Sequence, residues 1–391
     1  MIWRWCSFSF QESAVSYQPS VFQISILLLL GLWLIADSYS SLDLQRILRM
    51  HRYLFFITFF CISRLPAQTL GGNAVFNFLS QPNNAQLSAL GGVNISTIGN
   101  DVGMVFHNPA LLRDDMHQQV STSFNSFLAG IRNYSLTTAW HLEPSETNIA
   151  IGANYFDYGT LTQTDASGMV LGTFRPVDYV VQVMASRQYH ERFRYGLTMK
   201  YINSNYGQYR SSGLAFDVSV SYYDSVNQLQ VSVVVKNMGT QLKTYDGSTQ
   251  KEELPFDLQA GITKRLENAP FQFSLTAHHL QKFNIYYNDT TFRASEGENG
   301  YNSNGTLQKI FSHIVLSAQV FLNEKLEVTA GYNFQRRQDL NAYNVTSGLN
   351  GFSLGAGILF KKLHIRYATG FYQSNLFHQL SLNLNWKGGG L

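Results

Sequence analysis

Along most of the chain, apolar and polar residues take turns one by one. In Leu380-Ser381-Leu382-Asn383-Leu384-Asn385-Trp386 the alternation is unbroken, the pattern of a strand with one apolar and one polar face. Phe352, Leu354, Ala356, Ile358 and Phe360 oppose Ser353, Gly355 and Gly357 in the same way. Leu214, Phe216, Val218, Val220 and Tyr222 oppose Ala215, Asp217, Ser219 and Ser221. Helical spacing is not sustained over comparable lengths. Fourteen strands are predicted, near 118–127, 131–141, 146–158, 178–189, 193–206, 211–224, 228–237, 255–265, 271–281, 309–322, 325–335, 351–361, 363–372 and 377–386. Most are about 10–14 residues long, near the roughly 9–11 of a tilted membrane-crossing strand and about twice the length usual in soluble sheets.

The links between these runs sort by parity. Every second one is short: 142–145, 190–192, 225–227, 266–270, 323–324 and 362. Among the others, 159–177, 238–254, 282–308 and 336–350 are long. Short turns on one side, long loops on the other and an even strand count are the habit of outer-membrane barrels. A soluble sandwich gives no reason for such sorting. The expected fold is therefore all-β, a transmembrane antiparallel β-barrel of about 14 strands covering 118–391. In the last run, Leu382, Leu384 and Trp386 are expected to face lipid and Asn383 and Asn385 the lumen. The inward residues read as Ser, Thr, Asn, Gln and Gly more than charges. Fourteen strands lined by small residues leave a lumen to fill, and 68–117 is the candidate plug or hatch.

Composition agrees. Charged residues make up 14 % of the 391 and aromatics another 14 %, with 28 Phe, 22 Tyr and only 8 Pro. The mean hydropathy is −0.11, too polar for a bundle of membrane helices and suited to strands that show lipid and water by turns. The net charge is +3. Residues 1–67 hold five Lys/Arg and three Asp/Glu, which leaves 23 against 22 and a net +1 beyond them. A balance so near zero gives no electrostatic case for nucleic acid.

The N-terminus reads as a targeting region. Tyr53–Ile62 is an apolar core preceded by His51-Arg52 and followed by Leu65-Pro66-Ala67, the layout of a signal peptide at 50–67 cut between Ala67 and Gln68. A second apolar run, Phe22–Ala36, ends at Asp37; neither run reaches the roughly 20 residues of a spanning helix. One export signal suffices, so Met50 is read as the start and 1–49 as a non-native upstream extension. Both cysteines, Cys6 and Cys61, precede Gln68, so the exported chain has no disulfide and no thiolate metal site.

Ala85-Gln86-Leu87-Ser88-Ala89-Leu90-Gly91-Gly92 followed by Asn108-Pro109-Ala110-Leu111-Leu112 resembles the N-terminal hatch of FadL-like barrels. Within that superfamily the chain is most similar to the PorV/PorQ family of the type IX secretion system of Bacteroidetes. Gly71-Gly72-Asn73-Ala74-Val75-Phe76, Phe174-Arg175-Pro176, Pro255-Phe256-Asp257-Leu258-Gln259 and Leu275-Thr276-Ala277-His278-His279-Leu280 add to the likeness. The resemblance implies a plug motif at Asn108, Pro109, Ala110 and Leu111, and an integral place in the bacterial outer membrane. It also implies partners: a surface protein of the PorZ kind, the PorU/PorV attachment complex and lipopolysaccharide. In physical terms, Pro109 forces Asn108 out of the α region, and the Asn side chain bonds its own backbone. The pair therefore punctuates the segment.

Chemistry is not expected: no catalytic residue, no cofactor, no metal. Ser248-Thr249-Gln250-Lys251 matches an S-x-x-K motif, but no K-T-G accompanies it and it falls in a polar loop. His278 and His279, adjacent in a predicted strand, should point to opposite faces and share no metal. Arg336 and Arg337 read as a solvated loop surface. Two uses of the barrel then compete. The favoured one is a non-enzymatic anchor or scaffold in type IX secretion, recognising its partner through the longest loop with Tyr286, Tyr287 and Tyr301. The alternative is a FadL-type channel for hydrophobic small molecules, which needs an apolar pocket behind the plug; the mostly polar inward residues favour the scaffold.

Overall fold

Every alternating run meets a strand in the computed structural model, which describes residues 74–285, 305–340, 349–372 and 375–386. The ring is built from β1 (Gln119–Ser126), β2 (Arg132–Leu142), β3 (Thr147–Asp157), β6 (Val177–Tyr189), β7 (Phe193–Tyr206), β8 (Tyr209–Asp224) and β9 (Leu229–Lys243). It continues through β10 (Asp257–Arg265), β11 (Phe271–Ala277), β12 (Ile314–Asn323), β13 (Leu326–Asn333), β14 (Phe352–Leu359), β15 (Leu363–Tyr372) and β16 (Asn375–Asn385). Neighbours in sequence pair antiparallel all the way round, and β16 closes on β1 with Gln119 opposite Asn385 and Ser126 opposite His378. The product is a closed 14-strand barrel. A separate hairpin, β4 (Leu161–Thr164) with β5 (Val170–Phe174), stands within the link from β3 to β6.

Among the described residues, three short α-helices interrupt the all-strand picture: α1 (Ala85–Ala89), α2 (Thr306–Ser312) and α3 (Phe334–Leu340). The last two replace the ends of predicted strands. The run expected at 309–322 begins only at Ile314, and that expected at 325–335 stops at Asn333. Likewise the run drawn to 281 ends at Ala277, whereas that drawn to 237 continues to Lys243 through a bulge. There the pairing of β8 and β9 slips between Phe216 and Val218, and Asn237 takes φ 58°, a left-handed conformation that Asn tolerates. The slip turns two successive residues, Lys236 and Asn237, into the lumen.

The alternation decides sides. On β1, Gln119, Ser121, Ser123 and Asn125 are buried while Phe124 is exposed; on β16, Gln379, Ser381 and Asn383 are buried while Leu380, Leu384 and Trp386 are exposed. The exposed face is an apolar band, carrying Leu136, Ile151, Val183, Leu197, Leu275 and Leu354 among others. Aromatics gather toward its two edges: Phe124 and Tyr134 lie 5.2 Å apart near one, Phe193 and Tyr222 5.1 Å apart near the other. An apolar band between aromatic girdles is the outer face of a barrel in a bilayer.

The lumen is not empty. The stretch before β1 is packed against inward residues of strands around the ring, through α1 and the short turns Asn77–Ser80, Val102–Phe106, Pro109–Leu111 and Asp114–Met116. Ala85 N donates to Ser381 Oγ (2.7 Å), Gln182 Nε2 to the Phe106 carbonyl (3.0 Å), and Ser186 Oγ to the Leu112 carbonyl (3.1 Å). All four long links leave the same end of the barrel, and the six short ones close the other.

Candidate functional site

Asn108-Pro109-Ala110-Leu111 lies against β7 and β8. Asn108 is extended, as the following proline requires, and its Oδ1 accepts from Ala110 N (2.9 Å) to cap the turn Pro109–Leu111. Its Nδ2 donates to the Ile95 carbonyl (2.6 Å), and Ala110 N also donates to Ser219 Oγ (2.9 Å). The wall is cut away to admit the turn: a Cβ on Gly196 would sit 2.5 Å from Ala110 N. The motif is thus a brace between segment and wall.

Buried charges make two further ties, in a lumen whose inward residues are otherwise mostly uncharged. Arg366 on β15 bridges Asp101 of the segment (2.6 Å) and Glu327 of β13 (2.5 Å), all three nearly out of solvent. Asp101 Oδ1 also accepts from Gly103 N (2.7 Å) and Asn383 Nδ2 (2.9 Å). Across the lumen, Lys200 pairs with Asp217 (2.6 Å) and donates to Asn237 Oδ1 (2.8 Å). Beside them Lys236 Nζ donates to His107 Nδ1 (2.8 Å), since an ammonium accepts nothing. That leaves the proton of a neutral His107 on Nε2, which has no partner among the described residues. Sequence pattern hid these charges because each occupies an ordinary polar position of a strand or lies in the irregular segment.

Among the described residues, cavities open where segment meets wall, and two of them hold the chemistry of interest. One, of about 300 Å³, is lined by His107, Lys236, Asp257, His278, His279 and Arg336. Here two expectations fail. His278 and His279 do not face apart: β11 has ended, His279 takes φ 54°, and the two rings lie 4.9 Å apart beside Asp257. Strand alternation does not survive a left-handed residue. Arg336 is no solvated surface residue either. It donates to Ser353 Oγ (3.0 Å), lies over the Tyr372 ring and lines this pocket. Burial pushes His278 down to about 3 and holds His279 below its usual range against the opposing pull of Asp257, so both imidazoles are neutral.

The second cavity is an open cleft of about 500 Å³ at the end that bears the long links, lined by Val75, Phe76, Phe78, Tyr158, Tyr206 and Tyr245. Tyr158 and Tyr206 both donate to Asp178 Oδ2 (2.6 and 2.8 Å), which fixes their rings. Behind them an apolar cluster of Phe78, Leu79, Phe106, Phe156, Val180 and Ile202 runs from the cleft into the barrel.

No protein-family profile and no curated protein matches the sequence. Among solved structures, the barrel is similar to a mutant of the TodX monoaromatic hydrocarbon channel, with 11 % identity and a TM-score of 0.45 over 78 % of this chain and 99 % of that one. It is similar to the CymD monoaromatic hydrocarbon channel, with 13 % identity and a TM-score of 0.44 over 79 % and 97 %. A Pseudomonas aeruginosa FadL homologue gives 9 % and 0.43 over 78 % and 98 %.

The cleavage residues Ala67 and Gln68 and the loop tyrosines Tyr286, Tyr287 and Tyr301 lie outside the described residues, as does the extension 1–49. Ser248 sits in a loop as expected, with its Oγ donating to the Gln250 carbonyl (3.3 Å).

Proposed function

We propose that this chain is a non-enzymatic outer-membrane barrel that admits a small apolar or aromatic molecule through a lumen gated by its own N-terminal segment, as a FadL-type channel would. The aromatic cleft carries this reading. A cavity lined largely by aromatic residues, with Asp178 holding two of the tyrosines and Glu252 as a second carboxylate, suits a flat apolar solute, and the buried cluster behind it continues apolar into the barrel. The test is uptake of a labelled monoaromatic hydrocarbon by cells that carry this barrel as their sole route. A disulfide between segment and wall, Ser96→Cys with Thr263→Cys, replaces a 2.9 Å contact between hydroxyls carried directly on Cβ, in a chain that has no other cysteine once cut after Ala67. Oxidation should stop uptake and reduction restore it.

A second reading rests on different observations: the segment is tied down by buried ion pairs, and the lumen wall around it is polar. Both suit a barrel that never opens and serves as an anchor. With the resemblance to the PorV/PorQ family, that reading makes the chain a type IX secretion scaffold holding a PorZ-like surface protein near PorU/PorV and lipopolysaccharide. It predicts that the oxidised lock is harmless, while removal of residues 286–304 sheds the surface partner into the medium.

A further inference from the structure

Among the described residues, one cluster holds unused ligand chemistry: Asp257, His278 and His279, at the long-link end of the lumen. One ligand atom from each lies within 4.8 Å of the others. Four ligands around zinc at about 2.0–2.1 Å stand roughly 3.3 Å apart, and His279 Nδ1 is already 3.4 Å from Asp257 Oδ1. Only a small closure of His278 is needed. His278 is 2 % exposed, and its Nε2 has no hydrogen-bond partner among the described residues, a state that buried polar atoms rarely keep.

The surroundings hold these groups in place. Asp257 accepts from His279 N at Oδ1 (2.6 Å) and from Gln259 Nε2 at Oδ2 (2.6 Å), which orients the carboxylate. His278 is pinned by its backbone, its N donating to the His313 carbonyl (3.0 Å) and its own carbonyl accepting from His313 Nδ1 (2.8 Å). The left-handed backbone at His279 is what brings both rings to one side, and strain of that kind collects where it serves a site.

We propose that Asp257, His278 and His279 bind one divalent transition-metal ion. Two imidazoles and one carboxylate suit zinc and disfavour calcium or magnesium, which seek oxygen. Three protein ligands leave a fourth position, open to the 300 Å³ pocket where Lys236 and Arg336 also point. Those cations oppose the metal's charge, and they suit an anion as the fourth ligand. The site stands whether the barrel is a channel or a scaffold.

The experiment uses the untagged exported chain in detergent, stripped with EDTA and titrated with zinc by calorimetry, then with cobalt(II) by visible absorption. One ion per chain should bind, and cobalt should develop the bands of a four-coordinate N/O site. His279→Asn keeps a residue that accepts the left-handed backbone and removes the imidazole. It should weaken binding at least as much as the roughly 10–100-fold lost with an outer-sphere partner. Asp257→Asn should do the same, while His378→Ala, on the outer face, should change nothing. The heat-modifiable band in gels establishes folding for each variant. No saturable binding by the wild-type chain at millimolar zinc, or equal binding by folded His279→Asn, overturns the site.

Discussion

Leu136 lies midway along β2, faces outward and pairs with Thr122 and Ala153, whereas Leu384 stands one residue from the end of β16. Depth should therefore separate two otherwise equal changes. Leu136→Arg places a charge at mid-membrane and should cost about 2–4 kcal/mol, while Leu384→Arg, near the edge, should cost about 0–1 kcal/mol. Urea titration of the heat-modifiable form in vesicles measures both, and equal costs would mean that the exposed face is no lipid face. Which way such residues point was legible in the sequence, because each strand keeps its period of two. The period fails where one residue breaks the backbone geometry. At Asn237 a left-handed turn sends Lys236 and its neighbour to the same side, and at His279 another brings two rings together. Nothing in local composition announces either site.

At the scale of elements, Asp101 is the hinge pin of the segment. It caps the turn Val102–Phe106, accepts from Asn383 on β16 and pairs with Arg366 on β15. Removing one partner of a buried ion pair costs about 3–5 kcal/mol when the other is stranded; Arg366 keeps Glu327, so Asp101→Ala should fall toward the lower end. The expected sign is a faster tryptic cut at Arg113 in a barrel that is still heat-modifiable. Unchanged protection would show that Asp101 does not anchor the segment. The Asn-Pro pair marked one turn of this segment in the sequence, but its partners Gly196 and Ser219 read only as ordinary polar positions of strands. Helices α2 and α3 were illegible for another reason. Each is 7 residues long, too short for a helical period to compete with the strand pattern beside it.

For the whole molecule, the closed ring was legible because parity of link length and period-two runs are independent signals of one topology. What fills the ring was not, since the segment has no period of its own. Deleting 74–117 should leave the inward wall of Ser, Thr, Asn and Gln facing water, which those residues tolerate. The barrel should still insert, with lower thermal stability, and pass current in planar bilayers where the intact chain passes little. Equal conductance of the two would mean that the segment does not obstruct the lumen.

The tie between Ala85 and Ser381 spans 296 positions, and that between Asp101 and Arg366 spans 265. The part of the barrel that leaves the ribosome first therefore completes its contacts last, after the closing strand has arrived. Such long-range contacts slow folding, because loop entropy is lost before any contact repays it. Until β15 and β16 are in place, Asp101 lacks Arg366 and Asn383 and Ala85 lacks Ser381, so the segment rests only on the earlier strands and the incomplete chain stays open to chaperones and proteases. Assembly is thereby proofread at its final step: a chain truncated before Arg366 can neither complete the anchoring of its N-terminal segment nor close its sheet.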